Sequence, residues 1–82
     1  MKDFYVLDHI IKLLQERHIT VYKLAKSSGI PYSSLNSMLK GRHIPSLNNL
    51  IKICNGFNMP LSQFFAEIEN NLKENAGEND EI

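Results

Sequence analysis

Cysteine is almost absent: Cys54 stands alone, so no disulfide can form within the chain. The three histidines, His9, His18 and His43, are not spaced with it or with one another as zinc ligands are. Neither a cross-link nor a metal props up this domain, and no cofactor is expected. Long hydrophobic runs are lacking too. The apolar stretch that follows Phe4 is broken by Asp8, His9 and Lys12, and Asp3 comes early, which fits neither a signal peptide nor a membrane span and makes the cytoplasm the default compartment. Acids are scarce over most of the chain, only Asp3, Asp8 and Glu16 preceding residue 67. With no nucleophile, general base and orienting group converging on a foreseeable cleft, an enzyme is the poorest reading. No run alternates with the period of a strand over a convincing length, which leaves an all-α fold.

What is present suits one small globular unit. Eighty-two residues, 43% hydrophobic and 22% charged, leave room for a single core and no second domain. The formal net charge of zero conceals a division. Residues 1–66 hold eight Lys or Arg against three Asp or Glu, giving +5, whereas residues 67–82 hold one Lys against six acids, giving −5. The body therefore suits a polyanionic partner, while the C-terminus reads as a separate, well-solvated feature. The expected division is a folded domain over residues 1–69 and an acidic, disordered tail over residues 70–82.

Five helices with short connections are expected. Val6, Leu7, Ile10, Ile11 and Leu14 recur at spacings of three and four, forming the apolar stripe of a first helix from Phe4 to Glu16. Thr20 is a good N-cap for a second, Val21 to Ser28, which stops at Gly29. Ile30-Pro31 restarts the chain and Tyr32 to Lys40 continues helically to Gly41. Ser46 caps a fourth helix carrying Leu47, Leu50, Ile51, Ile53, Cys54 and Phe57, its end weakened by Asn55-Gly56 to Asn58. Pro60 opens a fifth with Leu61, Phe64, Phe65 and Ile68 as its apolar face. After Glu69 the apolar content falls and the helix is expected to fray.

The informative unit is Val21 to Lys40, two helices of eight or nine residues flanking a Gly-centred turn, the spacing of a helix-turn-helix. Ala25, one turn before Gly29, keeps the side chain small where two helices cross; Gly29 permits positive φ; Ile30, Leu35 and Met38 pin the third helix inward. From Thr20 to Phe65 the chain resembles the lambda-repressor-like helix-turn-helix family, of the Cro/CI or XRE type, found in phage and bacterial regulators. Leu24-Ala25, Gly29-Ile30, Leu35, Met38-Leu39-Lys40-Gly41, Ile44-Pro45-Ser46-Leu47 and Leu61-Ser62-Gln63-Phe64-Phe65 carry the likeness in order.

The resemblance implies a compact five-helix domain whose third helix enters the major groove of double-stranded DNA. By position, Tyr32, Ser33, Asn36 and Ser37 would face base edges, Asn36 having the clearest chemistry because a carboxamide can bond the N6 and N7 edge of adenine. Thr20, Lys23, Lys26, Lys40, Arg42 and His43 would meet phosphates, which gives affinity without sequence preference. Also implied are a homodimer, a pseudo-palindromic operator, and repression as the outcome, with no small-molecule ligand. Some positions depart from the family. Val21 stands where a glutamine often contacts phosphate, Pro31 and Pro60 where a capping serine is usual, and Leu39 where a charged residue is common.

Blander readings stand beside these. Arg42 and His43 also suit a merely solvated loop. Cys54 reads as a buried, inert thiol, and His9 and His18 as surface or helix-end residues. Phe64-Phe65 reads as core before it reads as a dimer seam. A protein-interaction module, such as an antitoxin-like partner docking through Leu39, Phe65 or the acidic tail, is the rival to a DNA-binding regulator.

Overall fold

A computed structural model of the chain describes residues 5–79, with side chains described as far as Lys73. Five helices follow one another: α1 Tyr5–Arg17, α2 Val21–Ser28, α3 Tyr32–Leu39, α4 Leu47–Gly56 and α5 Leu61–Asn79. Among the described residues there is no strand, so the fold is all-α as expected, and the helix-turn-helix boundaries agree with the expected ones to within a residue.

On α1 the buried face is Leu7, Ile10, Leu13 and Leu14, while Ile11 is exposed. Leu13 and Ile11 flank the Leu7-Ile10-Leu14 stripe on opposite sides, so periodicity alone cannot choose between them; packing selects Leu13. His9 is buried, against the expectation of a surface residue. Its Nε2 lies 2.7 Å from Glu67 Oε1 on α5, and its ring meets Phe64 edge-on with centroids 5.2 Å apart. An imidazole can enter a core when a carboxylate takes its polar end. His18 is a helix-end residue as expected: it takes φ 56°, and the next residue, Ile19, donates its N–H to the Leu14 carbonyl at 2.9 Å. The end of α1 is tied to the end of α4, because the Arg17 guanidinium donates to the Phe57 carbonyl and sits 5.4 Å from the centroid of the Phe57 ring.

The core joins all five helices through Ile10, Leu24, Leu35, Met38, Ile53, Phe57 and Phe64. Helices α2 and α4 make the most extensive pairing. Gly56 is what lets them approach, since a Cβ there would come within 3.0 Å of Leu24 Cδ1 and 3.3 Å of the Ser28 backbone nitrogen. The residue read from the sequence as a weak helix end is thus a packing surface. Cys54 is buried, and desolvation pushes its thiol pKa up, which suits an inert side chain. Phe64 is core, but Phe65 is 39% exposed.

Helix α5 does not stop where the sequence reading ends the domain, at residue 69, but continues to Asn79. Leu72, one turn beyond Ile68, extends the stripe of Leu61, Phe64 and Ile68 and packs against the core, which carries the helix past the expected boundary. Residues 80–82 of the expected tail lie outside the described residues.

Candidate nucleic-acid interface

The extended backbone of Thr20, φ −82° and ψ 161°, lets its side chain cap α2, Oγ1 accepting the Lys23 N–H at 3.0 Å. Leu24 and Ala25 turn inward. At Gly29 the chain takes φ 80°, a conformation that costs an L side chain energy, and the Gly29 N–H closes the helix onto the Ala25 carbonyl at 3.0 Å. Ser28, which sequence reasoning passed over, fastens the turn. Its hydroxyl donates to the Ala25 carbonyl and accepts the Ile30 N–H, both at 3.3 Å. Pro31 starts α3 with φ −56° and no side-chain cap, while its carbonyl accepts the Leu35 N–H at 3.0 Å. The missing hydroxyl cap is therefore offset by a pre-set backbone.

Leu35 and Met38 are fully buried and Leu39 is half-buried against the core, so Leu39 packs and is not left as a free apolar side chain. This fixes which side of α3 looks outward. Tyr32 and Ser33 are exposed, Asn36 and Ser37 are half-buried, and Ser34 is exposed at the edge of the same arc. Among the described residues the side chains of Ser33, Asn36 and Ser37 make no hydrogen bond, so their polar groups remain unspent. The helix closes by donating the Lys40, Gly41 and Arg42 N–H groups to the Asn36, Met38 and Ser37 carbonyls at 2.9 to 3.2 Å. Lys40, Arg42 and His43 then leave the end of α3 together, all exposed.

Thr20, Lys23 and Lys26 are also exposed, so all six expected phosphate-facing positions lie on the surface. Between Glu16 and Glu67 the chain has no acid at all, against the cations Arg17, Lys23, Lys26, Lys40, Arg42 and Lys52. Among the described residues none of Lys23, Lys26, Lys40 and Arg42 pairs with a carboxylate. The acids whose side chains are described, Asp8 and Glu16 on α1 and Glu67 and Glu69 on α5, belong to the two outer helices. A positive, unneutralised surface therefore runs across the turn, which is the electrostatic footprint a polyanion requires.

Two further features escaped the sequence reading. The Tyr22 ring lies 6.2 Å from that of Tyr32, and Lys26 Nζ lies 5.5 Å from the Tyr22 centroid. Ile44, Leu47 and Ile51, counted in the sequence as loop and helix residues, leave large apolar side chains in solvent soon after Arg42 and His43 in the chain, with Ile44 76% and Leu47 59% exposed.

Two short helices joined at a left-handed glycine, the second holding free polar groups outward beside unpaired cations, define a helix-turn-helix DNA-binding domain. A family model, the Cro/C1-type HTH DNA-binding domain, matches residues 9–68, and the chain belongs to that family. Neither the comparison with curated proteins nor that with solved structures gives a match. Among the described residues no group of His, Cys, Asp and Glu could hold a metal ion, and no helix is long and apolar enough to cross a membrane.

Proposed function

We propose that the chain is a sequence-specific transcriptional repressor that binds its operator as a homodimer, with α3 in the major groove of each half-site. The observation that carries the reading is the outward side of α3, where Ser33, Asn36 and Ser37 hold unspent hydrogen-bonding groups between Tyr32 and the cations that follow. Asn36 reads adenine, Ser33 and Ser37 adapt to neighbouring edges, and Tyr32 supplies a ring and a hydroxyl. Thr20, Lys23, Lys26, Lys40, Arg42 and His43 meet phosphates on either side of the groove. One such helix touches too few base pairs for high specificity, so two copies related by a two-fold axis read half-sites roughly 34 Å apart. The exposed apolar side chains of Ile44, Leu47 and Ile51 support self-association.

The rival reading, a protein-interaction module, has the exposed ring of Phe65 in its favour. It no longer has Leu39, which packs inward. Titrating the purified chain with random duplex DNA at two salt concentrations separates the two. The repressor reading expects binding that weakens steeply with salt, by about 0.9 in the log–log slope for each phosphate engaged, and weaker binding by Lys40→Ala and Arg42→Ala. No salt-sensitive binding in any form contradicts it.

A further inference from the structure

Tyr22 and Tyr32 are two large rings that the core does not use: Tyr22 is 59% and Tyr32 48% exposed. They belong to different helices of the motif, yet they touch, with centroids 6.2 Å apart and planes inclined by 58°. That is the separation at which aromatic rings attract through their quadrupoles. Tyr22 is in turn held from its own helix, because Lys26, one turn later, places its ammonium 5.5 Å from the Tyr22 centroid. Tyr32 has no other ring contact among the described residues, so its orientation depends on Tyr22. The neighbour Val21 packs against the core, so it does not compete for the outward side at the start of α2.

We propose that Tyr22 is a positioning residue for DNA recognition: it fixes the Tyr32 ring so that the ring meets the C5-methyl of a thymine opposite the first turn of α3. The inference rests on the DNA-binding reading above and deepens it by naming the base. Tyr32 opens α3, and the first turn of a recognition helix is the part closest to base edges. Only thymine presents an apolar group to the major groove, and a ring already held by a neighbour can cover that methyl without losing rotamer freedom on binding. Left alone, Tyr32 would sweep its exposed ring through solvent and make the same contact weakly. The preference for thymine at this position thus belongs to the pair of rings, not to Tyr32 by itself.

In vitro selection with the full chain supplies the duplex, and replacing each thymine in turn by deoxyuridine removes one methyl while leaving every hydrogen bond in place. For the unaltered chain, one substitution per half-site should weaken binding about fourfold, the value of one buried methylene-sized group. Tyr22→Phe should keep that sensitivity. Tyr22→Ala and Tyr22→Leu should lose it while still binding the duplex in a salt-dependent way, circular dichroism verifying that their helix content is unchanged. Leucine supplies bulk without a ring, so it remains a test should the alanine variant fold poorly. The proposal is overturned if Tyr22→Leu distinguishes thymine from uracil as the unaltered chain does, or if no thymine in the half-site is sensitive. Failure of the unaltered chain to bind any duplex would instead bring down the DNA-binding reading itself.

Discussion

Asn36 carries the most specific chemistry of any single residue on the outward face of α3, and its substitution separates recognition from stability. The side chain is half-buried and unbonded, so Asn36→Ala removes no internal hydrogen bond and should leave the helix content unchanged. It should cost about 1 to 3 kcal/mol of discrimination at one base pair, read as the ratio of affinities for the selected duplex and its single-base variants. Lys40→Ala and Arg42→Ala should instead weaken all duplexes alike, each lowering the salt slope by about one. Glu67 is the residue whose ionisation bears on stability. The amide of Gln63, donating to Oε2 at 3.0 Å, together with the His9 hydrogen bond and the charges of His9 and Arg17, holds its carboxyl below the ordinary glutamate value against the opposing effect of burial. A depressed pKa means that the folded chain releases this proton more readily than the unfolded one. The contribution to stability is therefore present above the unfolded value of about 4.5 and lost as pH falls through the lower folded value. Glu67→Gln should flatten that acid limb, as measured by urea denaturation between pH 3 and 6, approximate limits set around the ordinary carboxylate range.

At the scale of the helices and their junctions, two glycines make opposite demands. Gly29 has open space where a Cβ would stand, so Gly29→Ala should cost only its left-handed backbone, about 1 to 2 kcal/mol. Gly56 has no such room. Gly56→Ala would press on Leu24 and on the backbone of Ser28, and this overpacking of about 1 to 3 kcal/mol should exceed the roughly 1 kcal/mol that alanine gains as a helix former. Both effects are readable as shifts in the urea midpoint. The turn at Gly29 was legible in the sequence because caps and left-handed glycines are local signals: Thr20, Gly29 and Ser46 each act on backbone groups three or four residues away. The role of Gly56 was not legible, because it depends on which helix crosses α4. The same holds for His9 and Glu67, separated by 58 residues yet in contact, and for the Tyr22–Tyr32 pair. Which residues of α3 turn outward could be derived from the sequence because one buried pair, Leu35 and Met38, fixes the rotation of so short a helix. The continuation of α5 past Glu69 was not legible because Leu72 is a single apolar residue in a polar stretch, and the surface it covers belongs to the core, not to its own helix.

At the scale of the whole molecule, every acid among the described residues lies on α1 or α5, and the segment from Arg17 to Lys52 carries cations alone, so charge is unevenly placed although the net charge is zero. That asymmetry orients the chain on a duplex before any base is read. Three exposed aliphatic side chains, Ile44, Leu47 and Ile51, are too few for a standard interface of about 800 Å² per partner. Association should accordingly be weak in solution and completed on DNA, where two copies held on adjacent half-sites are at high effective concentration. Leu47→Gln, which removes the apolar contact without adding a charge near the phosphate-facing cations, should leave binding to an isolated half-site unchanged and reduce the affinity for the full site by about a hundredfold, the lower end of the gain from linkage. The central claim, that the outward side of α3 enters the groove, can be tested with one thiol. Cys54 is only 2% exposed, so Ser33→Cys provides the reactive site among the described residues for a short photo-crosslinker. The crosslinker should label bases from the major groove of the selected duplex, and the same reagent on Glu69→Cys, on α5, should label none. Labelling from Glu69→Cys with none from Ser33→Cys would contradict the account.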